Sequence, residues 1–200
     1  MLTFQWAMAV VTYAFVSSIT PGPNNTMLLA SGVNFGVKRT LPHLLGISCG
    51  FGFMTLILGT GLHQVFVHWP LLLEVLRYLG VTYMVYLAYR IATSAPPGQD
   101  AAQRGKPLSF LGAAAFQWVN IKAVFMAITA ITVYAGSDDN LWPLLALVGL
   151  FSVVNLGSCF MWVVFGASMR RWLQEPKVLK VFNAVMALAL LASLVPMLQA

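Results

Sequence analysis

The run Ser17-Ser18-Ile19-Thr20-Pro21-Gly22-Pro23-Asn24-Asn25 interrupts the first apolar segment of the chain, where a membrane helix would otherwise continue. Pro21 and Pro23 carry no backbone N–H, and their rings crowd the carbonyls near Ser17 and Ile19. Thr20 and Gly22, each preceding a proline, are pushed out of the helical region. The helix must break there. A freed carbonyl in hydrocarbon is costly, so a break at membrane depth survives only when it is buried in protein or lines a polar cavity. That makes the break a candidate binding site.

Composition places the break inside a membrane. Of 200 residues, 60% are hydrophobic and 8% charged, and the mean hydropathy is +0.82. Such a chain is too apolar to enclose its side chains in a soluble core. A bilayer core of about 30 Å needs roughly 20 helical residues. Six segments meet that length: Phe4–Val33, Leu44–Val67, Leu71–Thr93, Ser109–Tyr134, Leu141–Ser168 and Val178–Leu198. The expected fold is all-α, one polytopic domain over residues 1–200. Met1-Leu2-Thr3-Phe4-Gln5-Trp6 has no basic n-region and no cleavage site close behind it, and reads as part of a retained first span.

The net charge of +6 comes from topology. Lys38 and Arg39, then Arg90, Arg104 and Lys106, then Arg170, Arg171, Lys177 and Lys180 occupy alternate connections, nine of the eleven basic residues. The positive-inside rule makes that side cytoplasmic and puts both termini outside. The opposite connections hold Trp69, Glu74, Asp138, Asp139 and Trp142, with Arg77 the basic residue near them. No basic face with interleaved aromatics is present, which argues against nucleic acid.

Residues 94–107, rich in Pro, Gly and Gln, form a linker that divides the spans three and three, into halves of about 1–93 and 108–200. An odd number per half inverts the second half, the arrangement of inverted-repeat transporters whose sites lie between interrupted helices at the midplane. Span four should then carry its own interruption, and Gln117-Trp118-Val119-Asn120-Ile121-Lys122 sits at its middle. Gly46, Gly50 and Gly52 of span two answer more loosely to Gly149, Asn155 and Gly157 of span five.

Lys122 is the charged residue placed deepest. A lysine at the bilayer centre costs roughly 2.5–3.5 kcal/mol, so it should face the bundle interior or a wet cavity. Two compatible roles are open to it: a structural cation satisfied by the carbonyls that the prolines free, or a cation that binds a substrate carboxylate or titrates during transport. Asn24, Asn25, Gln117, Asn120 and Asn155 lie at similar depth. One amide is usually interhelical glue, but five beside two breaks point to a polar cavity for a small zwitterion. The half-helix restarting near Asn24 would aim N–H groups and its positive dipole end at an anionic group.

Gly32 with Gly36, and Gly46 with Gly50, have the spacing that lets helices approach closely. His43 reads as interfacial, and His63 and His68 lie near the outer face; none has metal-ligand company. Glu74 and Arg77 read as a surface pair, and Trp6, Trp69, Trp142 and Trp172 as an aromatic belt. Cys49 and Cys159, without a CxxC partner, read as packing residues in apolar surroundings. No Ser/His/Asp group, carboxylate pair or phosphate loop is present, so the expectation is a protein that is not an enzyme and uses no cofactor or metal.

Thr20-Pro21-Gly22-Pro23, Gly36-Val37-Lys38-Arg39, Gly46, Gly50 and Asn120-Ile121-Lys122 together resemble the lysine-exporter and homoserine/threonine-resistance superfamily of bacterial amino-acid exporters. Pro23-Asn24-Asn25, Lys106-Pro107-Leu108-Ser109-Phe110 and Gln117-Trp118-Val119-Asn120-Ile121-Lys122 look most like its cysteine/O-acetylserine branch. The resemblance implies an inner-membrane secondary transporter that expels a small zwitterionic amino acid, sits among lipids and assembles as a small oligomer. Many members carry Asn-Pro-Lys where this chain has Asn120-Ile121-Lys122, which suggests a milder second break. The superfamily also implies proton coupling, although no intramembrane Asp or Glu is present to carry the proton. Two other classes fit less well. A membrane thiol-disulfide protein would use Cys49 and Cys159, which do not sit beside the prolines, and a channel or metal-ion exporter would need carboxylates at membrane depth that this chain lacks.

Overall fold

The computed structural model describes residues 2–62, 68, 70–93, 106–135, 141–170, 172–173 and 175–193. Among these residues the structure is all helical: α1 (Phe4–Ile19), α2 (Pro23–Ile57), α3 (Pro70–Ala92), α4 (Phe110–Phe116), α5 (Ile121–Ala130), α6 (Trp142–Met169) and α7 (Pro176–Ala192). Wider π-helical turns extend α2 over Leu58–Leu62 and α5 over Ile131–Ala135. Most of the linker, with Arg104, lies outside the described residues, as do His63, Trp69, Asp138, Asp139, Arg171 and the end of the sixth predicted span.

Local chemistry sets the helix ends. The Thr3 hydroxyl accepts from the Trp6 N–H and caps α1, and Pro21 stops it after one last bond from Thr20 N to Val16 O. Pro143 and Pro176 occupy the first turns of α6 and α7, where a missing N–H costs nothing. α2 is two rods, residues 23–35 and 37–57, because Gly36 takes φ 77° and ψ 174°. A straight helix would put residues nine apart on opposite faces and about 13 Å along the axis. Instead the Ser31 and Thr40 hydroxyls lie 2.9 Å apart, and Leu28 shares a core cluster with Leu44 and Ile47. The second rod therefore folds back beside the first.

Gly36 is thus a correction to its reading as a packing glycine. Only glycine tolerates that backbone region at low cost. Gly36→Ala is expected to lower folding stability by about 1–3 kcal/mol, seen as an earlier thermal midpoint in detergent with the other helices unchanged in sequence. The remaining three do pack closely. A Cβ on Gly32 would meet the backbone of Val163, Ala167 and Gly166, one on Gly46 the backbone of Phe110, and one on Gly50 the backbone of Ala114.

The exterior carries many large apolar side chains, and polar ones are buried within a mainly apolar interior. Gln117, Thr40 and Asn183 are fully buried, while Phe4, Leu111 and Val153 stand 71–81% exposed. An apolar exterior is what lipid as solvent selects. Among the described residues two helices are long and apolar enough to cross a bilayer, Pro23–Gly61 counted across its kink and Trp142–Met169, and the pair Phe110–Phe116 and Ile121–Ala135, bent by 67°, makes a third when taken as one span. α6 is the central element, packed against α1 and both rods of α2, with α3 and α7 paired beside them. Two other expectations change here. His43 is buried at 2% exposure rather than interfacial, and Trp6 is drawn inward, its indole N–H donating to the Tyr134 carbonyl at 2.9 Å.

Candidate functional site

The first break is a three-residue gap, Thr20 to Gly22, between α1 and α2. Its carbonyls do not face hydrocarbon. The Asn25 amide donates to Ser18 O at 2.7 Å and to Thr20 O at 2.8 Å, folding the first turn of α2 back onto the end of α1. The Ser17 and Thr20 hydroxyls turn onto carbonyls one turn earlier in α1. Thr20 O also accepts from the Lys122 ammonium at 2.7 Å, and Pro21 O accepts from it at 3.4 Å. Gly22 makes room for that side chain, since a Cβ there would lie 2.9 Å from Lys122 Cδ.

The second break, residues 117–120, is as definite as the first despite Ile121 standing where a proline was expected. Gln117, Trp118 and Val119 each donate their N–H to the carbonyl three residues back, a tightened 3₁₀ turn that closes α4. Gly80 of α3 lies so close that a Cβ there would strike the Val119 carbonyl. α5 then restarts with Asn120 at its cap and Lys122 in its first turn.

The two breaks meet. The Asn24 amide donates to Gln117 Oε1 at 2.8 Å and Gln117 returns the bond at 3.3 Å, also donating to Ala113 O. The Asn155 amide, from α6, donates to the Ser18 hydroxyl at 3.2 Å, and its Oδ1 accepts from Ser48 at 3.2 Å. The residues from Thr20 to Asn25 therefore form one cluster with Gln117, Lys122 and Asn155, and Asn120 joins them in the wall of one cavity. Around it lies a cavity of about 20 Å³ with Ser18, Asn25, Asn120, Lys122, Asn155 and Cys159 in its wall. That is room for about one water.

Four of the five amides are thus engaged within the protein. The exception is Asn120, whose buried Oδ1 has no partner. A carbonyl oxygen in that state awaits a donor. An ammonium with three N–H groups uses two on Thr20 and Pro21, leaving one to give. Two half-helix N-termini also converge here, and among the described residues no carboxylate is in the cavity wall. An ammonium and a carboxylate would complement these two positions in charge and hydrogen bonding.

Some contributors escaped the sequence. Ser18 and Ser48 hold Asn155 from either side, yet a serine in an apolar span carries no signal of its own. Cys159, expected in apolar surroundings, is buried at the cavity wall with its thiol 3.6 Å from Asn155 Oδ1. Cys49 is exposed, and both are free thiols. From Phe51 in the cavity wall, ring contacts run on through Phe151 and Tyr13 to Tyr134, with centroids 4.8–6.0 Å apart.

The profile of the LysE type translocator family matches residues 15–194. Proteins named cysteine/O-acetylserine efflux protein, from Escherichia coli strain K12 and from Shigella flexneri, are each 33% identical over 150 residues, covering 72% of this chain and 76% of the relative. No solved structure matches.

Proposed function

The chain belongs to the LysE type translocator family, and from that premise we propose that it exports a small amino acid, of the cysteine or O-acetylserine kind, across the bacterial inner membrane by alternating access. The observation that carries this reading is the Lys122 ammonium held on the Thr20 and Pro21 carbonyls where two broken helices meet. The substrate carboxylate takes the remaining N–H of Lys122 and the helix N-termini, and its ammonium takes Asn120 Oδ1, the acceptor left open.

A cavity of about 20 Å³ is too small for an amino acid, so the breaks must part during transport. The Asn24–Gln117 pair is the contact that parts, and the stacked rings close the outer side in this conformation. Six crossings follow if α1 continues through residues 23–35, residues 37–57 return, and α4 continues through α5. The halves are then inverted repeats, each broken at its first crossing, with both termini periplasmic.

The test is efflux of a panel of labelled amino acids from vesicles loaded with them, with and without an imposed pH gradient. Protein-dependent loss of a small polar amino acid is expected. No amino acid leaving faster than from empty-lipid controls overturns the reading. Cys49→Ser combined with Cys159→Ser should keep the efflux rate within about twofold, because a neutral thiol is only a weak donor to Asn155.

A further inference from the structure

A second, larger cavity of about 440 Å³ opens on the side of Arg90 and Lys106, between the first rod of α2, the end of α3 and the segment leading into α4. It lies within the range of small-molecule sites. Its buried polar groups are settled with one exception. Asn34 donates to Ala30 O and exchanges hydrogen bonds with Asn183, and Ser31 pairs with Thr40. His43, 2% exposed and part of the cavity wall, has no partner for either ring nitrogen.

We infer that this cavity is a second binding site for a small amino acid, separate from Lys122, in which His43 and the cations Arg90 and Lys106 receive the carboxylate. An imidazole always has an N–H to give, and in its neutral form also an acceptor for an ammonium. Arg90 is poised at the mouth, one guanidinium N–H on the Tyr86 hydroxyl and another on the Lys106 carbonyl, both at 3.3 Å. Among the described residues no acidic side chain lines the cavity. Met27, one turn beyond Asn24 on α2, is in its wall, so a ligand here waits one helical turn from the central cluster. The central cavity holds about one water in this conformation, so the larger one has the volume for cargo before the breaks part.

The inference rests on the proposed function only for the choice of probe. Equilibrium binding of radiolabelled L-cysteine, kept reduced, is measured on the full chain in phosphatidylcholine nanodiscs. Two components are expected in the wild type. Lys122→Ala should remove one and spare the other, whereas His43→Leu, and separately Arg90→Gln with Lys106→Gln, should weaken the spared one about tenfold. A single component that vanishes with Lys122→Ala overturns the second site and leaves the central one standing. Two components both untouched by the His43 and paired-cation variants overturn it as well. Should His43→Leu fail to give folded protein, the paired surface variant decides alone. If added phosphatidylglycerol abolishes the second component, a lipid phosphate owns the cavity and the amino-acid assignment falls.

Discussion

Lys122→Ala is expected to abolish measurable export and weaken substrate binding about a hundredfold. A hydrogen bond to a charged partner contributes about 1.5–3 kcal/mol, and about 1.4 kcal/mol is tenfold in affinity. The upper end applies because the ammonium is held by two carbonyls in a cavity with no competing carboxylate. Alanine also strips a donor from Thr20 O and Pro21 O, so a stability loss alone would prove little. The discriminating measurement pairs the variant with a substrate whose carboxylate is replaced by an amide. If Lys122 binds the carboxylate, either change alone costs about a hundredfold and the two together scarcely more. Additive losses would show that the ammonium only braces the broken helix, leaving the carboxylate to another group.

How far this arrangement was legible beforehand depended on whether its cause was local. The first break is written in Pro21 and Pro23, because a missing N–H acts on the residue's own helix whatever surrounds it. Lys122 stood out because a charge has no inexpensive place in an apolar span. The second break has no proline and was read only from its polar run. Its sharpness comes from a tightened turn with the Gly80 backbone pressed on Val119, a contact between residues 39 positions apart. His43 follows Pro42 and looked interfacial. The fold-back at Gly36 carries it inside, and nothing near position 43 announces that. The larger cavity joins three distant segments, so no local pattern could reveal it.

Gly32 and Gly36 show the same limit in one motif, since equal spacing conceals one glycine chosen for contact and one chosen for its backbone angle. The contact glycine carries the second large prediction. Gly32→Val and Gly166→Val are each expected to prevent accumulation of folded, monodisperse protein in detergent. At Gly32 a Cβ would overlap the Val163 carbonyl and sit 3.1 Å from the Ala167 nitrogen; at Gly166 it would overlap the Leu29 carbonyl, with the Leu29 Cα 3.2 Å away. These obstacles are backbone, which cannot change rotamer, so α2 and α6 must separate. Overpacking a fitted interface costs about 1–3 kcal/mol and sometimes more, and in lipid close packing is what holds helices together, there being no water to drive apolar faces into contact. The separation would also carry Asn155 away from Ser18 and Ser48, dismantling the central cluster from behind. Gly149→Ala and Gly157→Ala on the same α6 helix are the controls, because nothing lies within 4 Å of a Cβ at either position. Alanine is favoured over glycine in a helix by about 0.8–1 kcal/mol, so these two should be neutral or slightly stabilising by thermal unfolding. Equal destabilisation at all four positions would mean that glycine serves α6 through flexibility, and the crossing of Gly32 over Gly166 would lose its claim to hold the site together.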